Sequence, residues 1–213
     1  MDYDRITNSL SEVIAKKTLA EIKNIEIFDH PQLAEYGNND VEGYQIFTPD
    51  HIVQMMMKCI GIKNIVDFTK TILEPTSGDG AFTVRIFEKR LEKAQKGNCF
   101  EIDCLKAIST MYSIEMDRDL VRKQRSNILT TLIKYAEKNK IELSEDYLNL
   151  FKIFLTTNFI WAQFNSQNEI TALFCDVAYT MPEAEKGKYR PIRLPVWIIT
   201  DEDITLTYED VEV

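Results

Sequence analysis

The chain has 213 residues, of which 45% are hydrophobic, and it carries a formal net charge of −9 with a pI near 4.9. This length and composition predict one sizeable core, in one main domain with a small appendage. The polar, acidic N-terminus argues against a secretory signal, and no apolar run approaches membrane-spanning length, so we expect a cytoplasmic protein without membrane association. The net acidity argues against strong autonomous binding to nucleic acid, because phosphate neutralisation normally dominates such affinity.

The first 43 residues are predicted to form a helix and a loop. Ile6, Leu10, Val13 and Ile14 share one helical stripe, which predicts an amphipathic helix over about residues 3–23. The following stretch to residue 41 contains the breaker-rich sequences DHP and GNND and is predicted to be a loop. This segment, residues 1–43, precedes the main domain.

A helix is expected over residues 50–59. Thr48 is a suitable N-cap, Pro49 suits the first helical position, and Asp50 would lie in the first turn. A well-capped helix of this kind is common in any protein, so the pattern alone does not indicate a function.

The next feature is a glycine-rich turn between a strand predicted over residues 66–73 and a helix predicted to run to about residue 96. Gly78 and Gly80 permit positive φ and close approach of a ligand, and the free N–H groups that open the helix favour an anionic group. Thr83 occupies the place of the third glycine in G-x-G-x-x-G, and no Gly-Lys-Ser/Thr follows, which excludes the dinucleotide and P-loop patterns. The alternative is a glycine turn that only closes a βα corner.

After a loop predicted over residues 95–103, an apolar strand over residues 110–117 ends in acidic residues. A carboxylate at the carboxyl end of a second parallel strand can accept hydrogen bonds from ribose hydroxyls. Glu115 is the candidate for this role, whereas Asp117 is expected to cap a long helix that ends near residue 139.

The remaining elements complete a prediction of a doubly wound α/β sheet with its ligand site at the carboxyl ends of the strands. Residues 151–159 are predicted as strand three and residues 170–177 as strand four. Asn158 would then end strand three at the ligand edge, or equally serve only to satisfy a turn. Residues 189–200 and 203–213 are predicted to be extended and to form a hairpin.

Basic residues are concentrated on two predicted helices. The helix after the glycine turn carries Arg85, Lys89, Arg90, Lys93 and Lys96, and the next carries Arg118, Arg122, Lys123 and Arg125. We expect these to be solvated helix faces. The four cysteines, Cys59, Cys99, Cys104 and Cys175, do not have the paired spacing of a zinc site, so no metal is expected and the cysteines are interpreted as reduced thiols.

Three segments together resemble adenine-specific (N6) DNA methyltransferases of restriction-modification systems. The acid-Pro-x-x-Gly-x-Gly-x-Phe turn is similar to the family's S-adenosylmethionine-binding motif, and Gln-x-Phe-Thr-Pro is similar to the segment that closes over the methionine end of the cofactor. Tyr44 stands where the family usually has a glycine before that glutamine. Tyr-x-Ile-Glu-x-Asp places Glu115 at the ribose-binding acid.

The resemblance runs from about residue 43 to about residue 164. It implies a Rossmann-like S-adenosylmethionine-binding domain over residues 44–180, apparently with an incomplete sheet, followed by an extended acidic segment over residues 181–213. The cofactor-binding residues that it implies are Phe47, Thr48, Pro49, Glu74, Pro75, Gly78, Gly80, Phe82, Glu115 and, for the adenine moiety, Asn158.

The catalytic motif departs from the family. Adenine-N6 methyltransferases carry Asn/Asp/Ser-Pro-Pro-Tyr/Phe after strand four, where polar acceptors bind the target amino group and the aromatic ring stacks on the flipped base. The match by position is Asp176-Val177-Ala178-Tyr179, which has neither proline. Asp176 and Tyr179 are the catalytic candidates, and an ordinary strand end is the alternative.

Three functions remain open from the sequence. The first is an S-adenosylmethionine-dependent DNA adenine methyltransferase in a partial or shortened form, which would bind DNA only with a partner chain or a further C-terminal region. The second is a non-catalytic cofactor-binding or assembly module that acts with a methyltransferase or specificity subunit. The third, a small-molecule methyltransferase, fits the acidity but not the Gln-x-Phe-Thr-Pro segment.

Overall fold

The computed structural model describes residues 1–14, 16–34, 47–165, 171–174, 189–191 and 193–210. Its helices are α1 (Tyr3–Val13), α2 (Lys16–Ile22), α3 (Asp50–Ile60), α4 (Ile62–Ile65), α5 (Ala81–Ala94), α6 (Phe100–Ser109), α7 (Arg118–Asn139) and α8 (Glu145–Asn158). Its strands are β1 (Ile72–Glu74), β2 (Met111–Glu115), β3 (Phe159–Asn165), β4 (Thr171–Phe174), β5 (Tyr189–Pro191), β6 (Arg193–Ile199) and β7 (Ile204–Asp210). No helix in these ranges is long and apolar enough to cross a bilayer.

The sheet combines parallel and antiparallel strands in the order β1-β2-β3-β4-β5. The strands β1, β2 and β3 are parallel, with Glu74 paired to Ser113 and Glu115 paired to Trp161. The strands β4 and β5 continue the sheet in antiparallel pairing, and β6 and β7 form a separate hairpin. The protein therefore has a mixed α/β fold, whose parallel part ends at one edge beside Glu74 and Glu115.

The N-terminal helix predicted over residues 3–23 is two helices. Ile14, which directly follows α1, has an extended backbone with φ −86° and ψ 138°, so the helix ends at this point. Ile6, Leu10 and Ile14 are buried, and α1 packs against α8. The prediction of helical structure in this segment is confirmed, and the prediction of one continuous helix is wrong.

The elements around the glycine turn agree with the sequence in kind and differ in extent. The helices α3 and α5 begin and end within two residues of their predicted bounds. The first strand is only three residues long, because the short helix α4 and a turn occupy most of residues 62–71. The loop predicted over residues 95–103 is also shorter, since α6 begins at Phe100.

The start of α7 confirms the predicted role of Asp117. The Asp117 side chain accepts hydrogen bonds from the backbone N–H groups of Asp119 and Leu120, which satisfies two of the free donors at the helix N-terminus. The helix then runs to Asn139, as predicted, and Lys140 follows in the left-handed conformation with φ 57°.

Residues 151–158 are helical, so the prediction of a third strand over residues 151–159 is wrong. Ser144 caps α8 by accepting from the Tyr147 N–H, and the first turn is acidic. From Leu150 to Asn158 all but one residue of the helix is buried, so its apolar residues show no one-sided helical period. The real third strand begins at Phe159.

Two of the basic residues predicted to lie on solvated faces are buried instead. Arg90 has no exposed surface, and Arg125 is 5% exposed. Arg90 donates to the carbonyls of Ile65, Ala107 and Lys70, among others, and Arg125 donates to the Phe159 carbonyl. These side chains join helices to the amino ends of the strands, which is a structural role.

The C-terminal hairpin is confirmed, because β6 and β7 pair antiparallel along their whole length. Trp197 fixes the hairpin to the core by stacking on Phe154 with ring centroids 3.9 Å apart. The Tyr112 hydroxyl on β2 also donates to the Pro195 carbonyl at 2.6 Å.

Candidate functional site

The glycine turn lies between β1 and α5, as the sequence predicts. Gly78 has φ +55° and Gly80 has φ +88°, so both adopt the positive φ expected of them. The Ser77 N–H donates to the Ile114 carbonyl at 3.2 Å, which holds the turn against the end of β2. Pro75 follows β1 directly and begins the turn.

Glu115 contacts this turn directly. Its Oε2 accepts a hydrogen bond from the Gly78 N–H at 2.7 Å, and its Oε1 accepts from the Asp117 N–H at 2.9 Å. The side chain is 8% exposed. The turn therefore receives an anionic group, as its free N–H groups favour, and that group is supplied by the chain itself.

Two further carboxylates surround the same turn. Burial, together with the neighbouring Asp79 and Glu115, raises the pKa of Glu74 to about 7, although the Thr83 hydroxyl donates to its carboxylate at 2.5 Å. Burial also raises the pKa of Asp79, whose Oδ2 accepts from the Ala34 N–H at 2.5 Å and lies 3.7 Å from Lys123 Nζ. The site is therefore rich in carboxyl groups, and burial disfavours the ionised forms of Glu74 and Asp79.

Phe47, Thr48 and Pro49, the described residues of the Gln-x-Phe-Thr-Pro segment, reach this site. A cavity of about 60 Å³ beside the turn is lined by Phe47, Thr48, Glu74, Gly78 and Phe82, among others. Thr48 and Pro49 also line an adjacent cleft of about 320 Å³, together with Leu33 and Arg85. The structure thus places the predicted segment next to the glycine turn.

The predicted helix cap at Thr48 is wrong by one residue. Pro49 is the N-cap of α3, and it makes no side-chain capping hydrogen bond. Asp50 in the first turn pairs instead with Arg85 of α5 at 2.7 Å. This ion pair joins the start of α3 to the helix that follows the glycine turn.

The prediction that Asn158 ends strand three at the ligand edge, on which its role as an adenine contact depended, is wrong. Because α8 replaces the predicted strand, Asn158 precedes β3 at the amino end of the sheet. It is fully buried, and its Nδ2 lies within hydrogen-bonding distance of the carbonyls of Ile108, Ser109 and Met111. Trp161, which pairs with Glu115, is the β3 residue that reaches the opposite edge.

The catalytic candidates Asp176 and Tyr179 lie outside the described residues, as does the complete sequence from residue 175 to residue 188. Among the ranges that are described, no group of three or more His, Cys, Asp or Glu side chains is arranged to hold a metal ion.

Gln124, which lies beneath the glycine turn, was not predicted from the sequence. It is fully buried on α7, and its side chain contacts Ser77, Ser113 and Thr83. The position of Gln124 in the sequence could have indicated its burial, because it shares a helix face with Val121 and Ile128, which are buried. A polar residue on an apolar helix face requires a hydrogen-bond partner when it is buried.

The hydrogen bonds that hold residues 26–34 were also not predicted from the sequence. The backbone N–H groups of residues 26, 28 and 32 donate to side chains of α7, namely Ser126, Thr130 and Asn127. The N–H of Ala34 then donates to Asp79 in the glycine turn. The segment therefore follows α7 and ends at the site.

A scan against protein-family models and searches of curated proteins and of solved structures find no match to this chain.

Proposed function

We propose that this chain binds S-adenosylmethionine in a doubly wound, methyltransferase-like domain and belongs with the adenine-specific DNA methyltransferases of restriction-modification systems. The observation that carries the proposal is the direct contact between Glu115 and the glycine turn. In open α/β sheets, ligands bind outside the carboxyl ends of the parallel strands, which is where this contact occurs. Phe47 and Thr48 line the same place.

Charge favours this cofactor over a phosphorylated one. Glu74, Asp79 and Glu115 surround the turn, and Lys123 is the cation that contacts Asp79. A nucleotide phosphate here would be repelled, whereas the sulfonium and ammonium groups of S-adenosylmethionine are attracted. A cation near Glu74 would also lower its pKa and restore the ionised carboxylate.

Cavity size indicates that binding requires movement. Pockets for small molecules and cofactors usually enclose about 300–1,000 Å³. The cavity at Gly78 encloses about 60 Å³, and the Phe47 ring lies 3.6 Å from the point where a Cβ on Gly78 would be. Thr48 and Ala81 line both this cavity and the adjacent cleft of about 320 Å³, so a movement of the segment that contains Phe47 and Thr48 would change the space available in both. We expect the segment around Phe47 to rearrange when the cofactor binds.

The alternative is a cofactor-binding or assembly module that needs a partner chain. It is favoured because several arginines already form ion pairs or are buried. Arg118 and Arg122 both pair with Glu21, and Arg85 pairs with Asp50. Arg90 is buried. Cations that are already paired or buried contribute little to phosphate binding. DNA contacts would therefore come largely from a partner.

Titration calorimetry with S-adenosylmethionine tests the cofactor proposal. We expect saturable binding by the wild-type chain and no binding of ATP under the same conditions. Glu115→Ala should weaken binding by about 1–3 kcal/mol, because a charge-assisted hydrogen-bond acceptor is lost. Glu92→Ala, on the exposed face of α5, is the matched control. Wild-type heats equal to buffer dilution at millimolar S-adenosylmethionine would contradict the proposal.

Hydrogen exchange provides a second test of the same site. Peptides covering residues 47–53 should gain protection at saturating S-adenosylmethionine, because the contacts of this segment with the cofactor form only in the complex. Peptides from α8 serve as the internal control. Unchanged protection over residues 47–53 would leave this segment with only its helix-starting role.

A radiolabelled methyl-transfer assay on mixed-sequence duplex DNA separates the enzyme from the module. We expect no transfer by the chain alone, since base flipping costs a few kcal/mol that aromatic stacking and phosphate contacts must offset. Transfer that depends on a partner chain supports the module. Robust transfer by the isolated chain, lost in Asp176→Ala, would instead establish Asp176 and Tyr179 as catalytic residues.

A further inference from the structure

Gln124 connects the elements that form the candidate site. Its Oε1 lies 3.1 Å from Ser77 Oγ of the glycine turn and 2.8 Å from Ser113 Oγ of β2. Its Nε2 lies 2.8 Å from Thr83 Oγ1 of α5, and Thr83 Oγ1 lies 2.5 Å from Glu74 Oε2. A continuous chain of side-chain hydrogen bonds therefore leads from Gln124 through Thr83 to Glu74.

The direction of these bonds follows from the chemistry of their groups. An ionised carboxylate only accepts hydrogen bonds, so Thr83 must donate its hydroxyl proton to Glu74. The Thr83 oxygen is then free to accept from the Gln124 amide NH₂, and the amide oxygen is left to accept from Ser77 and Ser113. Both polar atoms of the Gln124 amide therefore have partners, and bonds aligned in this way strengthen one another.

The packing around Gln124 shows that it is held tightly. A Cβ on Gly80 would lie 2.6 Å from Gln124 Cγ, which is closer than real Cβ atoms approach other atoms. Gly80 is therefore needed both for its positive φ and for the space that Gln124 occupies. Gln124 has no exposed surface, so it can reach a ligand only through other residues.

We propose that Gln124 is a positioning residue of the site, which orients the Thr83 hydroxyl toward Glu74 and so holds the Glu74 carboxylate toward the cavity beside Gly78. The ligand that this carboxylate would receive is cationic, and that part of the inference rests on the proposed function. The effect of Gln124 on Glu74 does not depend on the ligand.

The test measures the titration of Glu74 by NMR in protein labelled with ¹³C at the glutamate carboxyl carbon, with the signal assigned by its loss in Glu74→Gln. The wild-type midpoint is expected near pH 7. Gln124→Met preserves the shape but donates no hydrogen bond, so the midpoint should rise by roughly half a unit to one unit. Thr83→Val should raise it at least as much, and Thr83→Ser, the matched control, should not.

The double variant Gln124→Met/Thr83→Val should titrate like Thr83→Val alone, because both changes break one chain of bonds. If Gln124→Met does not fold, Ser113→Ala takes its place, with a smaller rise in the Glu74 midpoint. An unchanged midpoint in Gln124→Met, or in Ser113→Ala where that replaces it, together with a raised one in Thr83→Val, would overturn the proposal and leave Gln124 a packing role.

Calorimetry then tests the ligand. Gln124→Met should bind S-adenosylmethionine roughly two- to five-fold more weakly than wild type at pH 7, in proportion to the smaller ionised fraction of Glu74, and nearly as well at pH 9, where Glu74 is ionised in both. An equal loss at the two pH values would contradict the positioning role. If the wild-type chain binds no S-adenosylmethionine, the proposed function fails, and the Glu74 titration still decides the role of Gln124.

Discussion

At the amino end of the parallel strands, buried polar side chains donate to backbone carbonyls. At the carboxyl end, three carboxylates lie around a glycine turn that borders a cavity, and one of them, Glu115, accepts a hydrogen bond from that turn. Arg90 and Asn158 represent the first arrangement. Arg90 contacts five acceptors, and Asn158 contacts three carbonyls and the Trp197 indole N–H. Both side chains are fully buried.

At the carboxyl end, Asp79 and Glu115 are buried and Glu74 is partly buried, and these charges are less well compensated. Glu74, Asp79 and Glu115 lie around one turn, and burial raises the pKa of Glu74 and of Asp79. Groups whose pKa is shifted by burial beside a cavity are typical of functional sites. Comparing the two ends shows that buried polarity alone does not indicate function. What distinguishes the carboxyl end is that its carboxylates have acceptor capacity left for a ligand.

The largest expected effect is at the amino end. Arg90→Met keeps the apolar stem of the side chain but leaves several buried carbonyls without a donor. The free energy of unfolding should fall by about 3–5 kcal/mol, measured by urea denaturation. Lys89→Met, which removes an exposed cation paired with Glu92 on the same helix, is the control and should cost less than about 1 kcal/mol. Equal losses in both variants would refute the structural role of Arg90.

The two glycines of the turn should differ in their tolerance of a side chain. Gly80→Ala meets Gln124 and requires positive φ, so we expect a loss of about 2–4 kcal/mol. Gly78→Ala has ordinary contact with Phe47 and only the φ penalty, about 1–2 kcal/mol. Thermal or urea unfolding of both variants gives the comparison, and a greater loss for Gly78→Ala would contradict the packing of Gln124 against the turn.

Asn158→Leu tests whether the amino end is purely structural. It removes the donor to three carbonyls and the acceptor for Trp197, so stability should fall by about 2–3 kcal/mol. Affinity for S-adenosylmethionine, measured by calorimetry at a temperature where the variant is folded, should equal that of wild type. Weaker binding by the folded variant would reinstate Asn158 as a cofactor contact.

The smallest expected effect is the pH dependence of stability that Glu74, at the carboxyl end of the strands, contributes. The pKa of Glu74 in the folded state, about 7, lies above the ordinary glutamate value of 4.5, so the folded state binds the extra proton between these two pH values. Stability should therefore fall as pH rises from about 4.5 to 7 and then level off. Glu74→Gln should be more stable than wild type at pH 8, by on the order of 1–2 kcal/mol, and not at pH 4. Urea unfolding at both pH values measures this difference, and parallel profiles would exclude an elevated Glu74 pKa.

Features that depend on neighbours in the chain could be predicted from the sequence. The cap at Asp117 and the positive φ of Gly78 and Gly80 involve residues within one turn, and a local pattern contains them completely. The proximity of Glu115 to the turn also followed, because parallel strands bring their carboxyl ends to one edge.

Features that depend on distant parts of the chain could not be predicted. Burial on nearly all sides removed the helical period from α8, and the misplacement of Asn158 followed from that error. The partners of Arg90 and Gln124 come from other elements, so no local pattern identifies the groups that these side chains bind.

Residues 26–34 have no regular secondary structure, yet their course is specified. Four of their backbone N–H groups are bound by side chains from α7 and from Asp79, in the way that a neighbouring strand would otherwise bind them. The side chains of the segment itself take no part in these bonds. Substitutions in the segment would therefore leave these four bonds in place, provided that none of the four donors becomes proline, while substitutions at Ser126, Asn127 and Thr130 would remove the acceptors.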